Sequence, residues 1–352
     1  RSTVPIPRYD APLGSAVTLY RTELSVPSLP ASGRRAFLCF KGVDYKTQVF
    51  LNNTFMGAHE GFFAPFELDC TDAIKRGKNI LVVRVENDII CMGNKSWQDT
   101  DETGDKIYAA TGPGYDDPEI GWHHCPPGMG IYQDVCLEIR PEIFIKDIFV
   151  RPMLDLEHAE VRMNIYSCLK QDREASVTLS VCGRNFRKQV FSDQAHSLPN
   201  PVGPGDNYYT FSIRIPNARI WSPETPWLYS LTATVTRNSK NRDIQQTHFG
   251  MRNFRMDYTS RPKGKMYLNN QEIRLRGTNT MGHLQQCVIK RDWTQLIKDI
   301  LLYKICNMNF MRLTQRPVQD EIYTYCDMLG MMTQTDFPIF GVLRKNQFSE
   351  AV

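Results

Sequence analysis

The sequence predicts a multidomain, mainly β protein in which two β-sandwiches are followed by the start of a parallel α/β sheet. Three observations carry this prediction. Short runs rich in Val, Ile, Leu and Phe recur from Tyr20 to about Ile139 without long helices between them. A second series of such runs follows Pro141. Near Met266 strand-like and helical stretches begin to alternate, which is typical of a parallel sheet.

Composition narrows the class of protein. A length of 352 residues leaves room for two or three domains. Hydrophobic residues make up 41% and charged residues 23%, which are the proportions of an ordinary soluble globular protein. The formal net charge is only +4 and no block of like charges occurs, so we expect no nucleic-acid partner. No apolar run approaches the roughly 18 residues that span a bilayer, so we expect no membrane partner.

The first domain is predicted at residues 1–140 as an antiparallel sandwich. Asn52 and Asn53 tolerate positive φ and are expected to turn a hairpin. A long stretch at 87–130 interrupts the strands, and its length and aromatic content predict a functional loop. The predicted strands are 36–40, 47–51, 80–85 and 135–139.

The second domain, residues 141–258, has the strand number and spacing of an immunoglobulin-like sandwich. The Pro-rich segment from Trp221 to Trp227 is expected to form a rigid corner between strands. The predicted strands are 143–151, 159–167, 176–182, 208–215, 229–236 and 247–256.

The third domain, residues 259–352, is predicted to begin a parallel sheet. Its helices are expected at 292–306 and 319–329, with Gly330 as the C-terminal cap of the second helix. The predicted strands are 272–277, 309–313 and 331–336.

Several segments resemble glycoside hydrolase family 2. Three segments resemble the N-terminal sugar-binding jelly roll of that family, namely KGVDYKTQVFLNNTFMGAHEGFFAPFEL, GKNILVVRVEND and GIYQDVCLEI. Two others resemble the end of its immunoglobulin-like domain, WSPETPWLY and FGMRNF. Three further segments resemble the first three strands of its catalytic barrel, namely LNNQEIRLRGTN, NMNFMRLTQ and CDMLGMMTQTDFPIF. The resemblance implies a jelly-roll β-sandwich, an immunoglobulin-like β-sandwich and then the first part of a (β/α)8 TIM barrel.

This resemblance implies a portion of a retaining exo-β-glycosidase that hydrolyses terminal β-linked sugars of the β-galactoside or β-mannoside type. In such a double displacement one glutamate protonates the leaving oxygen and another attacks the anomeric carbon. The family carries these glutamates on the fourth and seventh barrel strands, so we expect both to lie beyond this chain and the chain alone to be inactive. The alternative is a noncatalytic carbohydrate-binding or scaffold protein built from the same sandwiches.

The barrel motifs leave the subfamily open. Many β-galactosidases and β-glucuronidases have a histidine in the second barrel strand where this chain has Gln315. Asp336-Phe337 in the third strand is similar to the β-mannosidase and exo-glucosaminidase branch. The segment RGTNTMGH at the first strand does not have the form typical of those enzymes.

The resemblance implies that Asn279, Arg312 and Asp336 lie at the barrel mouth, where TIM barrels carry their active sites. Arg312 would orient a catalytic carboxylate from the rest of the barrel, and Asp336 would contact the sugar or that arginine. The alternative for this pair is a structural salt bridge. His283 is a further candidate for substrate binding, and its alternative is an exposed loop histidine.

A loop of the first domain supplies the other candidate contacts. In the β-mannosidase branch a comparable loop reaches the barrel mouth with the sequence Gly-Trp-Asp-Trp. Trp122 matches its first tryptophan, and His123 stands in the place of the aspartate. An indole can stack on the apolar face of a pyranose, while a polar neighbour binds a hydroxyl group. We therefore expect Trp122 and His123 to bind substrate.

No metal or cofactor is expected. The run His123-His124-Cys125 cannot converge on one tetrahedral ion without a second cluster. The expected partners are an oligosaccharide or glycoside substrate and the remainder of the catalytic barrel. Self-association is left open. The ten cysteines are scattered singly and leave the compartment undecided, with a periplasmic or secreted location favoured over a cytoplasmic one.

Overall fold

The structure, a computed structural model, describes residues 2–3, 17–61, 63–86, 130–172, 174–187, 189–198, 200–237, 241–280, 282–314 and 317–336. Strands dominate these residues, and the helices among them all follow residue 280. No helix in this part of the chain is both long and apolar enough to cross a membrane. The predicted mainly β fold class is confirmed.

The first sandwich has two sheets. One has the strand order β1-β10-β3-β7, the other has the order β2-β8-β5-β6, and β4 pairs with β9. Inward residues of both sheets, such as Leu38 and Val83, share one buried core. The strands are β1 (Ser2–Thr3), β2 (Val17–Val26), β3 (Arg34–Phe40), β4 (Val43–Asp44), β5 (Lys46–Leu51), β6 (Thr54–Glu60), β7 (Phe66–Asp69), β8 (Gly77–Glu86), β9 (Gly130–Ile131) and β10 (Val135–Pro141).

The hairpin between β5 and β6 turns at Asn52 and Asn53, with φ of 51° and 68°. The Asn52 side chain also joins this turn to two other segments of the same chain. Its amide nitrogen donates to the Ala73 carbonyl oxygen at 2.9 Å, and its oxygen accepts from the Ile80 N–H at 3.0 Å. The predicted asparagine turn is confirmed.

The second sandwich packs the sheet β11-β12-β15 on the sheet β14-β13-β16-β17. The predicted strand at 247–256 is wrong, because those residues cover the end of β17, a break around Gly250 and the start of β18, which belongs to another sheet. The strand β14 was not predicted. The strands of this sandwich are β11 (Ile143–Pro152), β12 (His158–Ser167), β13 (Ser176–Gly183), β14 (Gln189–Ser197), β15 (Gly205–Arg214), β16 (Tyr229–Arg237) and β17 (Asn241–Phe249). The next strand, β18 (Phe254–Asp257), belongs to the following sheet.

The third region opens with a small antiparallel sheet of β18, β19 (Lys265–Leu268) and β20 (Gln271–Ile273). The parallel sheet follows, with the order β21 (Gly277–Thr280), β22 (Phe310–Leu313) and β23 (Met332–Thr335). Three helices of the described chain connect or flank these strands. They are α1 (His283–Lys290), α2 (Trp293–Ile305) and α3 (Asp320–Leu329).

The predicted first barrel strand at 272–277 is wrong. Residues 271–273 pair with β19, and the barrel strand begins at Gly277. The apolar residues Ile273 and Leu275 suggested a strand, but they pack in a separate cluster with Trp221. The parallel arrangement itself is confirmed, and both predicted helices are confirmed to within one residue at each end.

Gly330 ends α3 in the left-handed conformation, with φ of 73°, as predicted. This cap lies at a junction with the second sandwich. The Lys304 ammonium group donates to the carbonyl oxygens of Leu329 at 2.7 Å and Gly330 at 3.3 Å, and also to that of Pro223. One lysine therefore joins α2, the end of α3 and the Trp221–Trp227 corner.

Candidate active site

The clearest polar arrangement at the parallel sheet is an ion pair between neighbouring strands. Arg312 Nε lies 2.9 Å from Asp336 Oδ1, and Arg312 Nη2 lies 2.6 Å from Asp336 Oδ2. This two-point contact fixes the plane of the guanidinium group as well as its position. The Arg312 side chain is 41% exposed and that of Asp336 is 13% exposed. The pair therefore holds an accessible positive group in one orientation.

The sheet register explains why these side chains meet. Asn279, Arg312 and Gln334 are direct neighbours across β21, β22 and β23. Met311 and Leu313, on either side of Arg312, are buried in the cluster that contains the helices. Since successive side chains of a strand alternate between faces, Asn279, Arg312 and Gln334 lie on the face turned away from the helices.

Gln334 is a member of this arrangement that the sequence reasoning missed. Its Nε2 lies 3.3 Å from Asp336 Oδ1, the same oxygen that accepts from Arg312 Nε. The available signal was its position two residues before Asp336, which places both side chains on one face if the strand continues to that point. Gln334 thus helps to hold the carboxylate that orients Arg312.

The hydrogen bonds to Asp336 raise the pKa of Arg312 above its ordinary value, against a smaller opposing effect of burial. Arg312 consequently stays charged throughout the physiological pH range. A fixed positive charge on an open face can hold a carboxylate ionised or bind an anionic or hydroxyl-rich ligand.

His283 begins α1 and is exposed, so it lies on a helix rather than in a loop. Its carbonyl oxygen accepts from the Cys287 thiol at 3.4 Å within that helix. Trp122 and His123 lie outside the described residues. Asn279 and Arg312 lie one residue before the ends of β21 and β22, and Asp336 directly follows β23.

The jelly roll touches the parallel region directly. Lys41 Nζ lies 3.6 Å from Glu321 Oε1, in the first turn of α3, and Arg291 Nη2 lies 3.5 Å from Asp134 Oδ1. Arg291 immediately precedes the capped start of α2. In a parallel α/β arrangement helices start at the strand ends that carry active sites, so the jelly roll meets the barrel on that side. Among the described residues, no group of three or more metal-ligating side chains is assembled.

Comparisons with known proteins place these elements in one family. Family models described as Glycosyl hydrolase 2 galactose-binding domain-like, Glycosyl hydrolases family 2, and Glycosyl hydrolases family 2, TIM barrel domain match residues 13–114, 143–252 and 261–351. The three matches follow one another in a single domain order over most of the chain. The chain belongs to glycoside hydrolase family 2.

This chain spans less than half the length of the similar proteins. A β-galactosidase of Alteromonas mediterranea is 24% identical over 315 residues, which are 89% of this chain and 27% of that protein. A β-galactosidase of Thermoanaerobacter pseudethanolicus is 25% identical over 333 residues, covering 92% of this chain and 39% of that protein. The crystal structure of a Bacteroides uniformis β-glucuronidase superposes with a TM-score of 0.67 at 19% identity, covering 94% of this chain and 37% of that one.

Proposed function

We propose that this chain forms the N-terminal portion of a retaining exo-β-glycosidase that acts on terminal β-galactoside or β-mannoside residues. The observation that carries the proposal is the ion pair of Arg312 and Asp336 at the ends of adjacent parallel strands. Arg312 is open on one side, and the sheet face it occupies is the one that lines a TIM barrel. The fold alone would not specify hydrolysis, since many chemistries use it.

In the proposed mechanism the two catalytic glutamates come from barrel strands beyond this chain. Retention of configuration needs their carboxyl groups about 5 to 5.5 Å apart, with one protonated and the other ionised. Arg312 would face the ionised glutamate and keep the pKa of that carboxyl low by charge attraction. Asp336 and Gln334 fix the guanidinium group, so little reorganisation accompanies charge development.

Asn279, in register with Arg312, would hydrogen-bond a sugar hydroxyl group or the nucleophilic carboxylate. Trp122 and His123 would approach the same pocket from the jelly roll, and His283 would line its outer edge. The contacts of Lys41 with Glu321 and of Asp134 with Arg291 support this arrangement, since they hold the jelly roll beside the strand ends. We further propose that the domains divide near residues 140 and 258.

A substrate panel tests the proposal. Full-length protein would be given nitrophenyl β-galactoside, β-mannoside, β-glucuronide and β-glucosaminide, with the anomer of the first product assigned by NMR. We expect turnover of a galactoside or mannoside with retained configuration. Inverted product would contradict the mechanism, and binding without turnover of any substrate would favour a noncatalytic carbohydrate-binding protein.

Trp122→Ala in the same full-length protein tests the loop. We expect a lower kcat/KM, because stacking on the sugar would be lost. Unchanged kinetics would remove Trp122 from the pocket.

We also propose a periplasmic or secreted location, which fractionation of the source cells would test. Sedimentation velocity would show whether several copies of the protein associate.

A further inference from the structure

Two cysteines that are far apart in the chain lie directly opposite each other in the jelly roll. Cys39 of β3 is the register partner of Cys136 of β10. Directly opposite residues of antiparallel strands point to the same face of the sheet. Leu38 and Phe40, the neighbours of Cys39, point into the jelly-roll core, so both thiols lie on the other face.

The ladder geometry sets the separation of the two cysteines. The Lys41 N–H donates to the Asp134 carbonyl oxygen at 3.1 Å, and the Glu142 N–H donates to that of Gly33 at 3.2 Å. Since hydrogen-bonded pairs alternate along an antiparallel ladder, Cys39 and Cys136 are also such a pair, with Cα atoms about 5.5 Å apart. A disulfide accommodates Cα separations of about 4.4 to 6.8 Å. The Cα separation of this pair therefore lies within the range that a disulfide can span.

We propose that Cys39 and Cys136 are a disulfide-forming site that reacts with a low-molecular-weight disulfide such as oxidised glutathione. The Cys39 thiolate attacks one glutathione sulfur, which forms a mixed disulfide and releases one molecule of reduced glutathione. The Cys136 thiolate then attacks the Cys39 sulfur and releases the second. The two cysteines lose two electrons and two protons in total, and one glutathione disulfide becomes two thiols.

The surroundings assign the order of the two attacks. Cys39 is partly exposed, whereas Cys136 is 2% exposed, so the incoming disulfide reaches Cys39 first. Arg140 Nη2 lies 3.3 Å from Cys39 Sγ and stabilises its thiolate. Burial nevertheless raises the pKa of Cys39 above its ordinary value, and the Arg140 guanidinium only partly offsets this effect. The carboxylates of Glu67 and Glu138, which pair with Arg140, raise the pKa of Cys39 further. The reaction is therefore slow at neutral pH and accelerates as the pH rises.

A disulfide at this position would affect the contact between the jelly roll and the barrel region. Lys41 and Asp134 are the next residues along the same face, and they contact Glu321 and Arg291 of the barrel region. The bond would also close a loop containing residues 87–129, where Trp122 and His123 lie. Oxidation would thus lock β3 to β10 beside these contacts with the barrel region. This inference does not depend on the proposed glycosidase activity.

The test uses the chain as it stands, held in glutathione buffers of increasing oxidised-to-reduced ratio at pH 7 and pH 9. After alkylation, cleavage by trypsin and an aspartate-specific protease releases residues 36–41 and 134–146, each with one cysteine. We expect mass spectrometry to find these peptides joined, with the loss of two hydrogens and faster formation at pH 9. Reductant should separate them.

Matched variants distinguish the pair from general thiol oxidation. Cys39→Ser and Cys136→Ser should each abolish the joined peptides, whereas Cys306→Ser, at an exposed site in the barrel region, should leave them unchanged. Cys136→Ser should retain glutathione on Cys39. The proposal is overturned if Cys39 in the parent chain keeps glutathione while Cys136 stays free, if it joins another cysteine, or if neither thiol reacts at pH 9.

Discussion

The indole N–H of Trp221 donates to the backbone carbonyl oxygen of Asp327 at 2.9 Å, joining the end of the immunoglobulin-like sandwich to α3 of the barrel region. Trp221 is 1% exposed, and the Arg252 guanidinium lies 4.6 Å from the centre of its ring. His248 Nε2 also lies 3.2 Å from Asp327 Oδ2. The Trp221–Trp227 corner is therefore a docking element between two domains as well as a turn.

Trp221→Phe should lower the free energy of unfolding by about 1–3 kcal/mol, because the substitution removes the donor and leaves a shielded carbonyl oxygen. Urea unfolding of the chain measures this change. Trp227→Phe is the matched control, since Trp227 packs on Phe186 and Arg219 within its own sandwich. Equal losses for the two variants would show that the hydrogen bond to Asp327 contributes little.

Gly330→Ala should destabilise the chain more than Gly264→Ala does. Both glycines have left-handed φ, 73° and 86°, so both variants carry the backbone strain of an L-residue there, about 1 kcal/mol. A Cβ at Gly264 would meet no atom within 4 Å, whereas at Gly330 it would meet the Pro223 carbonyl oxygen and the Lys304 ammonium group. The difference between the two unfolding free energies isolates this crowding. Similar losses would mean that the junction relaxes around the new methyl group.

Asp243→Asn should stabilise the chain at pH 7 and have a smaller effect near pH 4. Burial raises the pKa of Asp243 above its usual 3.8, although the Ile145 N–H donates to Oδ2 at 2.8 Å. Because the folded-state pKa of Asp243 is raised, the protonated side chain contributes stability below pH 3.8. This contribution is lost as the pH rises through the folded-state pKa and the side chain ionises. Asparagine avoids this loss and still offers an oxygen to Ile145.

Urea unfolding at several pH values from 4 to 7 checks the effect of Asp243→Asn. Asp147→Asn, at an exposed site of β11, is the control variant for the loss of an aspartate charge from this sandwich. A stabilisation by Asp243→Asn that stays constant between pH 4 and pH 7 would contradict a raised pKa as its cause.

Arg312→Lys in the full-length protein should lower kcat by up to about 100-fold, because an ammonium group cannot reproduce the planar two-point contact with Asp336. Arg276→Lys provides the comparison. Arg276 lies just before β21, at the opposite end of the sheet, and contacts Asn307. Steady-state kinetics should show a change in kcat for Arg312→Lys only. A normal kcat would favour a purely structural ion pair.

Strands such as β5, β8 and β12 were predictable because one face of each is buried. In β12 the residues alternate between buried and more exposed positions along nearly the whole strand, which is the period of two that a sequence can display. The strand β14 has the sequence QVFSDQAHS, which lacks sustained alternation. It pairs at the edge of its sheet, next to β13 alone.

In the barrel region, prediction from the sequence was limited by a different cause. The strand β21 reads GTNT, and only Thr280 in it is buried, so hydrophobic content pointed to the residues before it. Arg312 and Asp336 could be singled out through the family resemblance, but their contact depends on the register between β22 and β23, whose paired residues are 22 apart in sequence. Gln334 joins them through that register alone, and the pairing of Cys39 with Cys136 has the same origin.

The contacts of the jelly roll with the barrel region affect the order in which parts of the chain can fold and dock during synthesis. Arg291 and Asp134 are 157 residues apart, and Glu321 follows Lys41 by a still longer stretch. Contacts of such separation form late, because both segments must exist and fold first. At a synthesis rate of about 5–20 residues per second, a jelly roll emerging from the ribosome waits on the order of ten seconds or more for its docking partner. Its charged docking face, with Lys41 and Asp134, remains compatible with water throughout that interval.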